Sequence, residues 1–198
     1  MIDINDFITN FDTNFECDFP WNITNNLEGI LEEKIKNLSE DYIVKDKVAI
    51  HKTAKIENGV TLKGIIIISE NCFIGANAYL RGPIFLGKFV SIGPSSEIKQ
   101  TIIFDNTSVA HFNYIGNSII GKNVNFEAGS ICANHYNERN DKIIFIKYNN
   151  EIISTNSEKF GALVGDDSKI GANAVLSPGT ILGSRSIIKR LELVEQNK

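Results

Sequence analysis

Two cations stand where like charges would repel each other. Arg81 and Lys99 are eighteen residues apart, and each directly follows an aliphatic residue. If eighteen residues make one full turn of a repeating structure, the two side chains lie opposite each other on neighbouring strands, which is unfavourable for like charges. A bound anion would relieve this repulsion, and phosphate fits it best. The alternative is a solvated basic face. Tyr114 belongs to the next strand along.

A lone histidine follows in the same region. His111 comes two residues after Val109, at the corner that leads to the face of Arg81 and Lys99. An imidazole with a pKa of about 6.5 suits proton abstraction at neutral pH, so its functional role would be that of a general base. The alternative is an exposed bystander. Asn125 and Asn134 are expected on other faces, so one site using all these residues would need a neighbouring subunit.

A metal site is the competing use of histidine. The sequence holds three histidines, His51, His111 and His135. A hexapeptide-repeat carbonic anhydrase would share three histidines across a subunit interface, but His51 is expected more than three coils away from His111. We therefore expect no metal.

The elements that position these residues repeat with a period of six. From Ile74 to Ile187 an aliphatic anchor recurs at every sixth position, and eight of the fifteen glycines directly follow an anchor. This period is neither helical nor that of a hairpin meander, so it predicts an all-β solenoid of short parallel strands, three per coil. Two steps of five residues set the stacking of three walls, whose predicted anchors are Leu80, Ile98, Ile115 and Cys132; Leu86, Ile103 and Ile120; and Ile92, Val109 and Phe126.

The segments outside the repeat predict the domain plan. Residues 1–45 are expected to form an N-terminal helical cap over the open end of the solenoid, with a helix near residues 22–38. The solenoid is predicted over residues 46–190, and residues 191–198 form a C-terminal tail. Within the predicted solenoid, residues 135–160 break the six-residue period. Two apolar runs on either side of Asn149-Asn150 predict a hairpin insertion there.

Composition narrows the function classes. The formal net charge is -4 and the pI is near 5.4, which argues against nucleic acid as a partner. The sequence has no apolar run long enough to span a membrane. Its acidic start lacks the basic region of a signal peptide, so a cytoplasmic location is expected. Cys17, Cys72 and Cys132 are spaced neither as a disulfide framework nor as a zinc site, and Cys132 is expected to be a small core hydrophobe.

Two blocks carry a resemblance to a known family. They are Val109-Ala110-His111-Phe112-Asn113-Tyr114-Ile115-Gly116 and Val124-Asn125-Phe126-Glu127-Ala128-Gly129-Ser130, followed by Ala133-Asn134. Together with the hexapeptides, they resemble the acetyltransferase domain of the bifunctional glucosamine-1-phosphate acetyltransferases and N-acetylglucosamine-1-phosphate uridyltransferases. They are also similar to the related sugar-1-phosphate nucleotidyltransferases whose C-terminal half is a β-helix. Lys159-Phe160-Gly161 and the Pro20-Trp21 segment match the same group.

The resemblance implies a left-handed parallel β-helix, a homotrimer with sites between subunits, and acetyl-CoA as acyl donor without a metal. It implies a sugar phosphate as the acceptor and His111 as the catalytic base. The substrate contacts that it implies are Arg81, Lys99, Tyr114, Asn125 and Lys159. The contacts to the coenzyme are Ala128, Asn134 and Ala172, with backbone N–H groups near Ala128 stabilising the oxyanion.

Three departures from the family pattern leave alternatives open. Glu127 replaces a glycine and puts a carboxylate near the expected coenzyme path, and His135 replaces a residue that is often tyrosine. The nucleotidyltransferase half is missing, so this chain is expected to lack that activity. The leading hypothesis is N-acetylation of an amino-sugar 1-phosphate. The alternatives are acyl transfer to another sugar or a sugar nucleotide, and a non-catalytic trimeric scaffold or regulatory module.

Overall fold

The predicted solenoid is confirmed as a parallel β-helix. The computed structural model describes residues 2–12, 15 and 18–196, and Cys17 lies outside them. Within these residues the structure has a 3₁₀ turn (Ile4–Asp6) and one long helix, α1 (Pro20–Lys36). The strands of its first half are β1 (Tyr42–Lys45), β2 (Val48–His51), β3 (Lys55–Ile56), β4 (Thr61–Lys63), β5 (Ile66–Ile68), β6 (Phe73–Ile74), β7 (Tyr79–Leu86), β8 (Ser91–Ile92), β9 (Glu97–Ile103), β10 (Ser108–Val109) and β11 (Tyr114–Gly116). The strands of its second half are β12 (Ile119–Ile120), β13 (Asn125–Phe126), β14 (Ile131–Cys132), β15 (Phe145–Tyr148), β16 (Glu151–Ser154), β17 (Ala162–Val164), β18 (Lys169–Ile170), β19 (Val175–Leu176), β20 (Thr180–Leu182), β21 (Ile187–Ile188) and β22 (Leu193–Val194).

Three walls of parallel strands enclose the core. The first wall runs through β4, β7, β9, β11, β14, β19 and β22, and the third through β3, β6, β8, β10, β13, β18 and β21. The second wall runs from β2 and β5 through the later parts of β7 and β9 to β12, β17 and β20. The anchors stack in the predicted register, as in the column Leu80, Ile98, Ile115 and Cys132 of the first wall. The handedness of the coil remains a prediction.

The anchors fill the interior of the helix. Every anchor of the column just named is fully buried. Cys132 lies among these aliphatic side chains, and burial raises the pKa of its thiol to about 12. Its predicted role as a small hydrophobic core residue is therefore confirmed.

The hairpin insertion is confirmed, and it leaves the stacking intact. β15 and β16 pair antiparallel with Tyr148 opposite Glu151, so Asn149-Asn150 form the turn. On either side of the insertion, Cys132 and Leu176 stack as direct neighbours on the first wall. The β-helix therefore continues as if the inserted segment were absent.

The outward face of the second wall is apolar, which the sequence analysis did not predict. On this wall an apolar residue precedes each anchor. The series is Ala49, Ile67, Phe85, Ile102, Ile119, Leu163 and Ile181. Phe85 is partly buried, and the other six are buried. The N-terminal residues cover this stripe with Phe7, Phe11, Phe15, Trp21 and Leu27. A second apolar core therefore lies outside the β-helix.

The helix exists as predicted, but its predicted position over the open end is wrong. α1 packs against β5, β7 and β9, along the side of the second wall. It lies there because Ile23, Leu27 and Leu31 form one apolar face that the outward stripe can bury. The end of the solenoid is instead closed by β1, which pairs antiparallel with β2.

Hydrogen bonds fix the rest of the N-terminal segment to the β-helix. The backbone N–H and the hydroxyl of Thr9 donate to the buried carboxylate of Asp166 over 2.9 and 2.7 Å. At the other terminus the predicted tail is corrected, since β22 adds another strand to the first wall beside β19. Among the described residues, no helix has the length and apolarity needed to cross a bilayer.

The second apolar core gives a stability prediction. Ile102→Ala removes a fully buried side chain beneath the N-terminal segment, and we expect it to lower the free energy of unfolding by about 2–4 kcal/mol. The anchor series was expected to end at Ile187, but the inward anchor there is Ile188, and Ile187 before it is 73% exposed on the third wall. Ile187→Ala should therefore cost less than about 0.5 kcal/mol. Urea denaturation of both variants measures the difference, and equal losses would contradict the proposed burial.

Candidate functional site

The first wall carries a cluster of charge on its outward face. Lys63, Arg81 and Lys99 stand opposite one another on successive strands, because each directly follows an inward anchor. The sequence analysis anticipated Arg81 and Lys99 but missed the carboxylate beside them. Glu97 faces the same side as Lys99 and forms an ion pair with Arg81. The alternation of a β-strand, which puts residues i and i+2 on one face, could have revealed it.

Lys159 joins this cluster through the chain that returns from the hairpin. The N–H of Phe160 donates to the carbonyl of Asn134, and the N–H of Gly161 donates to that of Asn117. Gly161 must be glycine, because a Cβ there would collide with the carbonyl of Gly116. This docking brings Lys159 close enough to Lys99 to affect its ionisation.

The electrostatics of Lys99 reflect this crowding. Burial holds the pKa of its ammonium below the usual range, and the charges of Lys159 and Arg81 lower it further. Glu97 offsets only part of this effect. In the described part of the chain, no carboxylate lies within salt-bridge distance of Lys99 or Lys159. The cluster therefore has more positive charge than its single carboxylate can balance, as an anion site requires.

Tyr114 lies against the backbone at the end of this wall. A Cβ at Gly116 would stand 2.5 Å from the Tyr114 hydroxyl oxygen and 3.0 Å from the side-chain amide carbon of Asn134. The missing side chain thus makes room for both groups. Burial, followed by the charge of Glu97, raises the pKa of the Tyr114 phenol, so it remains a neutral hydrogen-bonding group at pH 7.

Asn134 occupies this end of the first wall, whereas the sequence analysis expected it on another face. The residues after β14 continue in register with those after β11, so Asn134 stacks on Asn117. Its amide donates to the side-chain oxygen of Asn117 over 2.6 Å. Both asparagines are buried, and the Asn117 amide nitrogen has no partner among the described residues. His135 contacts the Asn134 oxygen at 3.2 Å.

The remaining predicted site residues lie elsewhere. His111 is exposed at the corner between the third and first walls, and its ring meets that of Phe112 edge-on at 5.4 Å. Asn125 faces outward on the third wall, between Ser108 and Lys169. Lys99, by contrast, lies at the far edge of the first wall. At about 3.3 Å per residue, roughly 15 Å separates it from His111. A single chain therefore does not bring all the predicted residues together.

The predicted coenzyme contacts Ala128 and Ala172 lie on the same line of corners as His111. The N–H of Gly129 donates to the carbonyl of His111 over 3.1 Å, which places Ala128 one coil beyond the histidine. The N–H of Ala128 has no hydrogen-bond acceptor within the described ranges. It is thus a free donor close to His111. Oxyanion stabilisation needs such a donor.

Glu127 is held by the following coils. Its carboxylate accepts two hydrogen bonds of 2.8 Å from the Arg190 guanidinium and one of 2.9 Å from the N–H of Ala172. The Arg190 hydrogen bonds are the largest cause that lowers the pKa of Glu127. The carboxylate therefore clamps three consecutive coils together. The N–H of Ala172, the predicted coenzyme contact, is already engaged in this clamp.

Comparisons with known proteins agree with the repeat. Residues 65–93 and 161–189 match the family described as the hexapeptide repeat of succinyl-transferase. The bifunctional sugar-1-phosphate nucleotidylyltransferase/acetyltransferase of Sulfurisphaera tokodaii is 31% identical over 83% of this chain and 42% of its own length. The bifunctional protein GlmU of Methanococcus vannielii is 34% identical over 73% of this chain and 39% of its own. The chain thus spans about two fifths of the length of these two relatives.

A solved structure adds a distant likeness. A hexapeptide transferase family protein from Anaplasma phagocytophilum superimposes with a TM-score of 0.48 and 16% identity, covering 76% of this chain and 80% of the other. The recognition of hexapeptide-transferase repeats is confirmed by the family match and the sequence relatives.

The close packing of Tyr114 and Asn134 against Gly116, here called the Gly116 cradle, gives a second prediction. Gly116→Ala should lower the free energy of unfolding by about 1–3 kcal/mol, because its Cβ must displace the Tyr114 hydroxyl and the Asn134 amide. Gly183 also follows an anchor, but a Cβ there meets no atom within 4 Å. Gly183→Ala should therefore be neutral or stabilise the fold by up to about 1 kcal/mol. Chemical denaturation distinguishes the two, and a Gly116→Ala protein as stable as Gly183→Ala would show that the cradle is not tightly packed.

Proposed function

We propose that this hexapeptide-repeat chain is an N-acetyltransferase that uses acetyl-CoA to acetylate an amino-sugar 1-phosphate of the glucosamine- or galactosamine-1-phosphate type. The observation that carries the proposal is the cluster of Arg81, Lys99 and Lys159 around a single carboxylate, Glu97. An anionic acceptor supplies the missing negative charge. The relatives from Sulfurisphaera and Methanococcus, whose names include acetyltransferase or GlmU, support the same class.

The proposed reaction is direct acyl transfer. The amino nitrogen of the acceptor attacks the thioester carbonyl carbon of acetyl-CoA, and a carbon–nitrogen bond forms. His111 takes the proton that the nitrogen loses. The free N–H of Ala128, one coil away, donates to the oxyanion of the tetrahedral intermediate. The carbon–sulfur bond then breaks, and the CoA thiolate leaves and receives the proton from His111.

The acceptor would be held by the remaining polar groups. Arg81, Lys99 and Lys159 would bind its phosphate, while the neutral phenol of Tyr114 and the Asn125 amide would bind hydroxyl groups. Asn134 and the corner at Ala128 would contact the acetyl group and the pantetheine arm. The Ala172 N–H already binds Glu127, so a coenzyme contact at Ala172 would have to use another atom or displace that carboxylate.

Loss of the proposed base is the first test. His111→Ala should lower kcat by about 10²–10⁴-fold, because proton transfer by a positioned base contributes that much. Free CoA release, followed with a panel of amino-sugar phosphates, measures it. His51→Ala is the control, since His51 is a partly exposed histidine that hydrogen-bonds to Thr53 in an early coil. Full activity of His111→Ala, or no turnover of the wild-type protein with any acceptor, contradicts the proposal.

The separation of His111 from Lys99 supports a site shared between subunits of a homotrimer. In such a ring each site combines the His111 corner of one subunit with the first wall of its neighbour. Equal amounts of inactive His111→Ala and Lys99→Ala chains, unfolded and refolded together, should then recover about a quarter of the wild-type activity, because one interface in four pairs two intact halves. Recovery no greater than the sum of the separate variants would place both residues in one chain's site.

One observation favours a second acceptor class. Lys63 stands in register with Arg81 and extends the row of cations by one coil. A sugar nucleotide, with its second phosphate, would use this extension. Including nucleotide-linked amino sugars in the acceptor panel decides between the two classes, since kcat/KM would then be higher for the linked sugar.

A further inference from the structure

The corner beside His111 carries an unexpected residue. Phe112 adopts a left-handed backbone conformation, with φ at 60°. On the same line of corners Gly59, Asn77, Ser95, Gly129 and Asn173 also adopt it, and glycine and asparagine tolerate it far better than a bulky side chain does. Leu191 is the other bulky residue on this line. Phe112 is also 66% exposed, so burial does not offset the strain. Neither backbone preference nor packing within the chain accounts for phenylalanine here.

What Phe112 does contact is the ring of His111. The two ring centroids are 5.4 Å apart and the ring planes are at 89°, an edge-to-face pair. Such pairs are favourable beyond the area they bury. In the described part of the chain, neither ring nitrogen of His111 has a hydrogen-bond partner. The aromatic contact is therefore the interaction that restrains the imidazole.

We propose that Phe112 is a positioning residue that restrains the His111 imidazole at this corner while leaving both ring nitrogens free. This inference rests on the proposed role of His111 as a base. A polar side chain at position 112 would compete for the imidazole nitrogens by hydrogen bonding, whereas an aromatic ring orients the imidazole without occupying them. The left-handed backbone brings the two side chains together at the cost of local strain.

Replacement by a residue suited to this backbone separates stability from activity. Phe112→Asn should raise the Tm by about 2–4 °C, since strain is relieved and little buried surface is lost. Its kcat should nevertheless fall by about three- to tenfold, with an unchanged KM for the acceptor, because the edge-to-face contact is lost. Phe112→Tyr keeps the ring and should keep the wild-type kcat.

The chain contains a matched control. Phe89 has the same residue type, a φ of 57° and 52% exposure, but it lies at the corner between the second and third walls. Phe89→Asn should give the same rise in Tm with no change in kcat. Equal kcat values for Phe112→Asn and the wild-type protein would overturn the inference, and so would an equal loss in Phe89→Asn.

Three further outcomes are informative. If light scattering shows that Phe112→Asn dissociates an assembly that the wild-type protein forms, Phe112 is an interface residue and the positioning role is wrong. If His111→Ala is inactive while Phe112→Asn is fully active, only this inference fails. If His111→Ala is active, the proposed function fails with it.

Discussion

The constraint on which this structure depends is the register between coils. Parallel strands can exchange hydrogen bonds only if each coil returns to the same position, so each inward side chain must stand directly over the one before it. The column from Leu80 through Ile98 and Ile115 to Cys132 shows this condition met across two shortened steps. The positions of the outward side chains on all three walls follow from this stacking. Arg81 faces Lys99 because their anchors stack, not because the two cations attract each other.

The three walls share the same inward stacking and differ in their outward side chains and in whether another part of the chain covers them. Ile102 and Ile119 would be a liability on a bare wall, and the N-terminal segment covers them. The first wall presents a charged half, and the third presents a mixture of polar, charged and apolar side chains such as Asn125, Lys169 and Ile187. Since the second wall is already covered, the proposed homotrimer would pack through the other two. Those are the walls that carry Lys99 and Asn125.

The sequence predicted whatever depends on periodicity alone. The anchors, their assignment to walls and the turn at Asn149-Asn150 follow from spacing, because each requires only local alternation and stacking. The side on which α1 lies did not follow, since it depends on a second apolar stripe. The sequence carries that stripe as paired apolar residues such as Ile102-Ile103, of which one faces inward and the other outward.

The site was predicted in part for the same reason. The facing of Arg81 and Lys99 is a consequence of register, whereas the ion pair of Glu97, the buried position of Asn134 and the clamp of Glu127 on Arg190 depend on side chains from different coils. The homotrimer, the handedness, the cytoplasmic location and the independence from a metal remain predictions.

The insertion after β14 has an evolutionary consequence. Because Cys132 and Leu176 stack as if nothing lay between them, the cost of a longer excursion at this point is only that of closing a loop, which grows slowly with its length. New surface can therefore be added here by lengthening one loop, while the coils on either side keep their alignment. Lys159 stands where this excursion re-enters the helix, so variation in the loop reaches the charged cluster directly. The chain can thus diversify what it recognises at a point that leaves its framework unchanged.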